Sequence, residues 1–329
     1  MNLLNQPLTL PSGAVLPNRI AKSAMSEVLG DPETGSPTPL LNRLYERWGR
    51  GGAGLLFTGH VIVHPDGRGE PGNVVITDDR HLGALRAWAT AAQANGARLW
   101  MQLNHAGRQA PRRLTKQPVA PSPIAVRGYG GAFAKPRVLE DREIHDLVGR
   151  FATAAAVAKA AGFAGVQVHA AHGYLVSQFL SPRTNQRDDA WGGDASRRRR
   201  FLLAIVEAIR NAVGPEFPIG VKLNSADFQR GGFTIEESME VARALEAAGV
   251  DLLEISGGNY ESPAMAGAAK EQRASSRERE AYFLDYATQI RAVTRLPLML
   301  TGGLRTRAMM DSVLAARDID VVGMARPLS

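Results

Sequence analysis

Cysteine is absent from the 329-residue sequence. Disulfides, thiolate nucleophiles and cysteine-ligated iron–sulfur clusters are therefore excluded for this chain. Long apolar runs are missing too. None reaches the roughly 18–20 residues that a membrane-crossing helix needs. Met1 to Leu10 holds no basic segment ahead of an apolar one, so no secretory signal is expected, and a cytoplasmic protein is. The segment Lys22 to Val28, after the first predicted strand, lacks the glycine-rich fingerprint of an open dinucleotide-binding sheet. The densest basic cluster, Arg197 to Arg200, has no aromatics interleaved for stacking on bases. It opens a predicted helix, on which consecutive residues face different sides, and reads as a solvated, salt-bridged turn rather than a nucleic-acid surface. The formal charge of +7 still suits a phosphate-bearing cofactor.

What is present is alternation. Short runs rich in Val, Ile and Leu recur at Arg19–Met25, Gly54–Val61, Arg98–Asn104, Gly165–His169, Ile219–Leu223, Leu252–Ser256, Leu298–Thr301 and Asp320–Met324. Helical patterns separate them at Pro39–Gly49, Asp79–Ala94, Asp141–Ala161, Ser196–Ala212, Ile235–Ala248, Glu278–Val293 and Arg305–Ala316. Gly162, Gly214 and Gly249 follow Ala-rich runs, where a left-handed helix stop needs glycine. Strands alternating with helices imply parallel pairing, and eight such units favour an α/β fold of the closed (β/α)8 TIM barrel type. One barrel domain is expected over the whole sequence, with long loops after strands 3 (residues 105–140) and 6 (residues 257–278). Both loops leave carboxyl ends of strands, the catalytic face of a barrel. Such a barrel also calls for a helix after strand 8, and the sequence ends at Ser329 before one.

Four features carry chemistry. The end of strand 4 reads His169-Ala-Ala-His172-Gly-Tyr174, two imidazoles and a phenol at the rim. Imidazoles there can donate to a substrate oxygen and a phenol can deliver a proton. A packed histidine pair is the plainer alternative. Metal ligation would need more ligands than His-x-x-His supplies; His105 and Asp227 are the nearest candidates, and no recognisable metal pattern results. The loops after strands 7 and 8, with Gly302-Gly303 and Ala325-Arg326, occupy the common phosphate site of barrels, though ordinary turns would read similarly. Lys222 lies among apolar neighbours in strand 5, where burial demands an anionic partner or a Schiff-base role. Gln102, inside strand 3, offers an amide that pairs with a heterocycle edge or with the backbone.

These residues resemble a known family. Pro17-Asn-Arg-Ile, Gln102-Leu-Asn-His105-Ala-Gly-Arg108, Ala120-Pro-Ser-Pro-Ile and His169-Ala-Ala-His172-Gly-Tyr174-Leu, followed by Gln178-Phe-Leu-Ser-Pro, Asn185, Arg187 and Trp191-Gly-Gly, resemble the old yellow enzyme family. The resemblance runs from about residue 3 to 328 and implies a TIM barrel with non-covalent FMN, NADPH or NADH as hydride donor, and an electron-poor alkene as small-molecule substrate. No nucleic-acid or membrane partner is implied, and a homo-oligomer is compatible with it. By this resemblance Ser23, Ala24, Met25 and Ser26 lie along the flavin, with Ser26 tuning its potential. His60 touches the ring through backbone atoms, Gln102 reads the pyrimidine edge, and Lys222 sits near N1 and O2. Gly303, Ala325 and Arg326 grip the phosphate. His169 and His172 hold the substrate oxygen, and Tyr174 donates a proton. No metal is implied.

The departures concern Ser26 (often Thr or Cys in the family), Val28 (Tyr in one subgroup), His60 (usually Gly or Ala) and Lys222 (commonly Arg). They leave the substrate unassigned. Relatives of the dienoyl-CoA reductase and amine dehydrogenase type carry a cysteine-ligated cluster, from which a cysteine-free sequence points away. A metal-dependent hydrolase using His105, His169 and His172, or a flavin carrier without turnover, are the rival readings.

Overall fold

The computed structural model describes residues 3–262 and 283–328. Eight parallel strands close on themselves: β1 (Ile20–Lys22), β2 (Leu55–Ile62), β3 (Arg98–Asn104), β4 (Gly165–Ala170), β5 (Ile219–Asn224), β6 (Leu252–Ser256), β7 (Leu298–Thr301) and β8 (Val321–Met324). Closure is made by β1, which pairs with β2 through Ala21 and Leu55 and with β8 through Ala21 and Gly323. Among the described residues the α-helices are α1 (Pro39–Arg50), α2 (Leu82–Gln93), α3 (Asp141–Ala160), α4 (Leu175–Leu180), α5 (Ala195–Arg198), α6 (Arg200–Val213), α7 (Ile235–Ala247), α8 (Leu284–Arg291) and α9 (Arg307–Ala315). The TIM barrel read from the sequence is the fold observed.

Side-chain alternation explains the interior. Along β3, Met101 and Leu103 face the helices, whereas Trp100 and Gln102 point inward. The lowest inward layer is apolar: Phe57, Trp100, Leu252, Met299 and Val321 pack beneath the site. Two glycines make room for the Trp100 indole. A Cβ on Gly165 would come within 2.6 Å of it, and one on Gly220 within 2.9 Å. Below this layer a short antiparallel hairpin, Leu8–Thr9 with Val15–Leu16, adds Leu10 and Leu16 to the same cluster and covers the amino end of the barrel.

Helix ends follow their local chemistry. Capping boxes open α3 (Glu140, Glu143) and α7 (Thr234, Glu237). Gly162, Gly214 and Gly249 have φ of 86°, 78° and 73° just past α3, α6 and α7, as expected for glycine stops. The helix expected over Ser196–Ala212 is instead two, broken at Arg199. Its basic run splits three ways: Arg197 pairs with Asp194, Arg198 is buried against Glu237 and the Leu180 carbonyl, and Arg200 lies over the Trp191 ring. The first strand is shorter than Arg19–Met25, because the chain leaves the ladder after Lys22. Helix α4 was not expected at all. The amino-terminal part of the helix predicted from Glu278, and most of the loop 257–278, lie outside the described residues.

Candidate active site

Above the apolar layer the inward positions turn polar. Gln102 Nε2 donates to Gln167 Oε1 (2.8 Å), Gln167 Nε2 donates to Glu254 Oε2 (2.7 Å), and Lys222 Nζ sits 3.1 Å from Glu254 Oε1. All four side chains are buried. Lys222 thus has its anionic partner inside the protein, which answers the cost of burying it. Half of the Gln102 amide is committed as well. Its Oε1 has no hydrogen-bond partner among the described residues and is available to accept.

A cavity of about 420 Å³ opens at the carboxyl ends of β1 and of β5 to β8. Ala24, His172, Lys222, Gly303, Ala325 and Arg326 line it, so six of the expected residues share one space. The turn Thr301–Arg305 runs along it just before α9. Gly323 faces the interior beside it. A Cβ there would fall 2.2 Å from Thr301 Oγ1 and 2.5 Å from Ser23 Oγ, so only glycine fits. Ser23 is buried and fixed: its Oγ lies 2.8 Å from Thr301 Oγ1, and its amide donates to the Met324 carbonyl. Met25, Ser26, His60, Gln102, His169 and Tyr174 stand outside this cavity's lining.

The rim residues of β4 gather as expected. The His169 ring is 5.1 Å from that of His172 and 4.9 Å from that of Tyr174. His169 Nδ1 accepts from the Ala171 amide (3.2 Å), which leaves the proton on Nε2 as a donor. His172 sits at φ 61°, a conformation rare for non-glycine residues. It is held there from two sides. Asn224 Oδ1 accepts its amide (3.1 Å), and its Nε2 is 2.7 Å from Ser256 Oγ. His105 does not join them. Its Nδ1 accepts from Gly107 N, its ring faces His64, and the proposed His105–His169–His172 ligand set is not assembled. Among the described residues no group of three or more His, Asp or Glu side chains is arranged to hold a metal. Asp227 serves the loop after β5, accepting from Ser181 Oγ and Phe233 N.

Several contacts at the site go beyond the sequence reading. His60 contributes its ring, 5.3 Å from His169 and 4.8 Å from Tyr174, so it is a third imidazole of the cluster rather than a backbone contact alone. Ser26 Oγ donates to the Glu70 carboxylate, and Asn73 Nδ2 donates to both (3.3 and 3.1 Å). The Ser26 proton is thereby engaged within the protein. Glu27 accepts from Tyr45 and from the Gly59 amide, while buried Lys22 donates to the Phe57 carbonyl (2.8 Å) and lies 4.2 Å over the Trp48 ring. Burial, opposed by Glu27, brings the Lys22 ammonium down to about 8. Tyr260, from the loop after β6, places its hydroxyl 3.0 Å from that of Tyr174.

The rest of the motif after β4 is scaffold. Gln178 donates to the Ala106 and Gly173 carbonyls and accepts from Arg108 N, joining the loops after β3 and β4. Asn185 donates to the Phe179 and Trp191 carbonyls, and Arg187 to that of Leu139.

Burial is the main cause of the altered acid–base character. It brings His60 down to about 4 and pushes His169 and His172 well below the ordinary imidazole value, with the neighbouring imidazoles and Lys222 adding to the effect. It raises the Tyr174 phenol, with Tyr260 reinforcing the shift. These imidazoles stay neutral in the fold but bind protons once unfolded. Between the lowered folded values and the unfolded value of about 6.5 the unfolded state holds more protons, so stability rises with pH there. Urea unfolding is expected to show a lower midpoint at pH 5 than at pH 7.5. An equal or higher midpoint at pH 5 would mean that the cluster is charged in the native state.

An eight-stranded parallel barrel with a glycine-lined cavity over β7 and β8 and a donor-rich rim defines a barrel enzyme that holds a phosphate-bearing cofactor at its carboxyl face. The family model for the NADH:flavin oxidoreductase / NADH oxidase family matches residues 3–328, and the chain belongs to that family. It is an oxidoreductase with FMN as cofactor and a nicotinamide dinucleotide as electron donor. An NADH-dependent flavin oxidoreductase of Hypocrea jecorina is 38% identical over 343 residues, covering 98% of this chain and 85% of its own. The structure of a 2-naphthoyl-CoA reductase in complex with 2-naphthoyl-CoA superposes with a TM-score of 0.91 at 30% identity; the match covers 99% of this chain and 50% of that one. An old yellow enzyme homologue from Zymomonas mobilis superposes with a TM-score of 0.82 at 26% identity, covering 98% of this chain and 88% of that one.

Proposed function

We propose that the chain reduces the C=C bond of α,β-unsaturated carbonyl or nitro compounds, with NADH or NADPH as donor. The observation that carries this reading is the His169, His172 and Tyr174 cluster: two imidazoles kept neutral and a phenol kept protonated by burial, with the His169 ring touching both of the others beside a cavity that His172 lines. FMN, when bound, supplies the store of hydride between donor and alkene.

The residues present fit FMN. Glycines at 302 and 303, Ala325 and Arg326 would hold its phosphate, where backbone N–H groups approach closely. The orphaned, buried Gln102 Oε1 would accept from the pyrimidine edge. Lys222 would stand as counter-charge where reduction deposits negative charge. Ser23, Ala24, Met25, Ser26 and His60 would border the ring.

On the substrate side, His169 and His172 donate to the carbonyl or nitro oxygen, meeting negative charge that develops as hydride reaches the β-carbon. Being neutral, they stabilise that charge without surrendering a proton. Tyr174, held protonated by burial, delivers the proton to the α-carbon. Purified protein loaded with FMN, reduced by NADH without oxygen and then mixed with 2-cyclohexenone, is expected to reoxidise and yield cyclohexanone. Reoxidation by oxygen but not by enones or nitroalkenes would refute the proposal.

A further inference from the structure

We propose that Tyr260 is the proton supplier of Tyr174, a second phenol that returns the proton Tyr174 gives up in each turnover. This rests on the reading of Tyr174 as the proton donor.

The geometry comes first. The two hydroxyls are 3.0 Å apart, with the rings inclined at 72°. Among the described residues Tyr260 is the one hydrogen-bond partner of the Tyr174 hydroxyl. The Tyr174 ring is 7% exposed and packs against His60 and His169, so little of it meets solvent. Neither imidazole forms a hydrogen bond to that hydroxyl among the bonds described. Tyr260 is only half-buried, so it meets solvent more than Tyr174 does.

Its position is fixed. Tyr129, from the loop after β3, donates its hydroxyl to the Tyr260 carbonyl (2.8 Å). Next to it, Glu261 pairs with buried Arg108 and accepts from the Arg127 amide (2.9 Å). Asn259 Oδ1 accepts from the amides of Glu261 and Ser262. The Tyr129 and Phe133 rings stand 5.9 and 6.0 Å from that of Tyr260 and form an apolar wall on this side. Two loops that enter from different strands are thus joined at the residue that touches Tyr174.

The step balances. As the Tyr174 O–H bond breaks and a C–H bond forms at the α-carbon, the Tyr260 O–H breaks in the same event and its proton re-forms the Tyr174 O–H. Tyr260 recovers its proton from water at the loop surface, and the net proton comes from solvent. Burial raises both phenols, the more deeply buried Tyr174 the further, which favours moving the proton from Tyr260 to Tyr174.

The test uses FMN-loaded protein reduced by NADH and mixed with 2-cyclohexenone in a single turnover. In Tyr260→Phe, which keeps the ring, alkene reduction is expected to slow by about tenfold or more, since positioned proton transfer contributes roughly 10²–10⁴ overall. Reduction by NADH and FMN content should stay unchanged. The slowed rate should also climb with buffer-acid concentration, a dependence that loss of packing alone does not produce. A proton inventory on the unaltered protein should be curved, reporting more than one proton in flight. An alkene step at the unaltered rate in Y260F, or a linear inventory, overturns the relay. Tyr174→Phe separates the two claims. If it is slow while Y260F is fast, the relay alone fails; if it is itself fast, the reading of Tyr174 fails and the relay falls with it.

Discussion

Replacing Tyr174 by Phe is expected to slow alkene reduction by about 10²- to 10⁴-fold, the usual contribution of a positioned general acid. The half-reaction with NADH should be nearly untouched, because hydride arrives from the nicotinamide without need of that proton. Packing around the ring is the same in both proteins. The phenol ring is wedged between His60 (4.8 Å) and His169 (4.9 Å), and a phenyl ring keeps both contacts. Loss of the hydroxyl strands only that of Tyr260, at a cost of about 1 kcal/mol. Stopped-flow measurement of each half-reaction decides it. A Y174F protein that reduces enones at the unaltered rate would remove Tyr174 from the chemistry.

The second large effect is on stability. Lys222→Met is expected to cost about 3–5 kcal/mol, because it leaves the wholly buried Glu254 carboxylate with no cation beside it. Gln167 alone would then satisfy Glu254. Combining K222M with Glu254→Leu should recover much of the loss, since a well-packed apolar pair avoids desolvating two charges. Urea unfolding of the cofactor-free proteins measures both. The double variant should still bind FMN weakly, as Lys222 lines the cavity. A single variant as stable as the parent would show that the pair contributes nothing to the fold.

Much of the barrel was legible because strands buried on both faces read as continuous apolar runs. β3, β6 and β7 match their predicted bounds, and glycine stops located the ends of α3, α6 and α7. Helix α4 was invisible for the same physical reason: all six of its residues are buried, so it has no amphipathic period to detect. Within the site, His169, His172 and Tyr174 were legible from a compact motif. Gln167 and Glu254 were not noticed, yet a signal existed. Each is a polar residue at an inward position of an apolar strand, in step with Gln102 and Lys222. Lys22 stood in view as a charge in the first strand, but nothing local paired it with Tyr45 and Trp48. Glu27, Glu70 and Tyr260 lie in loops, where neither period nor motif fixes direction. Only tertiary structure brings Glu70 to Ser26, 44 residues away, or Tyr260 to Tyr174, 86 residues away.

The polar chain from Gln102 through Gln167 and Glu254 to Lys222 binds β3, β4, β6 and β5 into one circuit. Residues that share partners in this way do not change independently. A substitution at one of them alters what its neighbours can tolerate, so the four form a single unit of inheritance. Variation that retunes the cofactor end of this barrel must therefore pass through paired replacements.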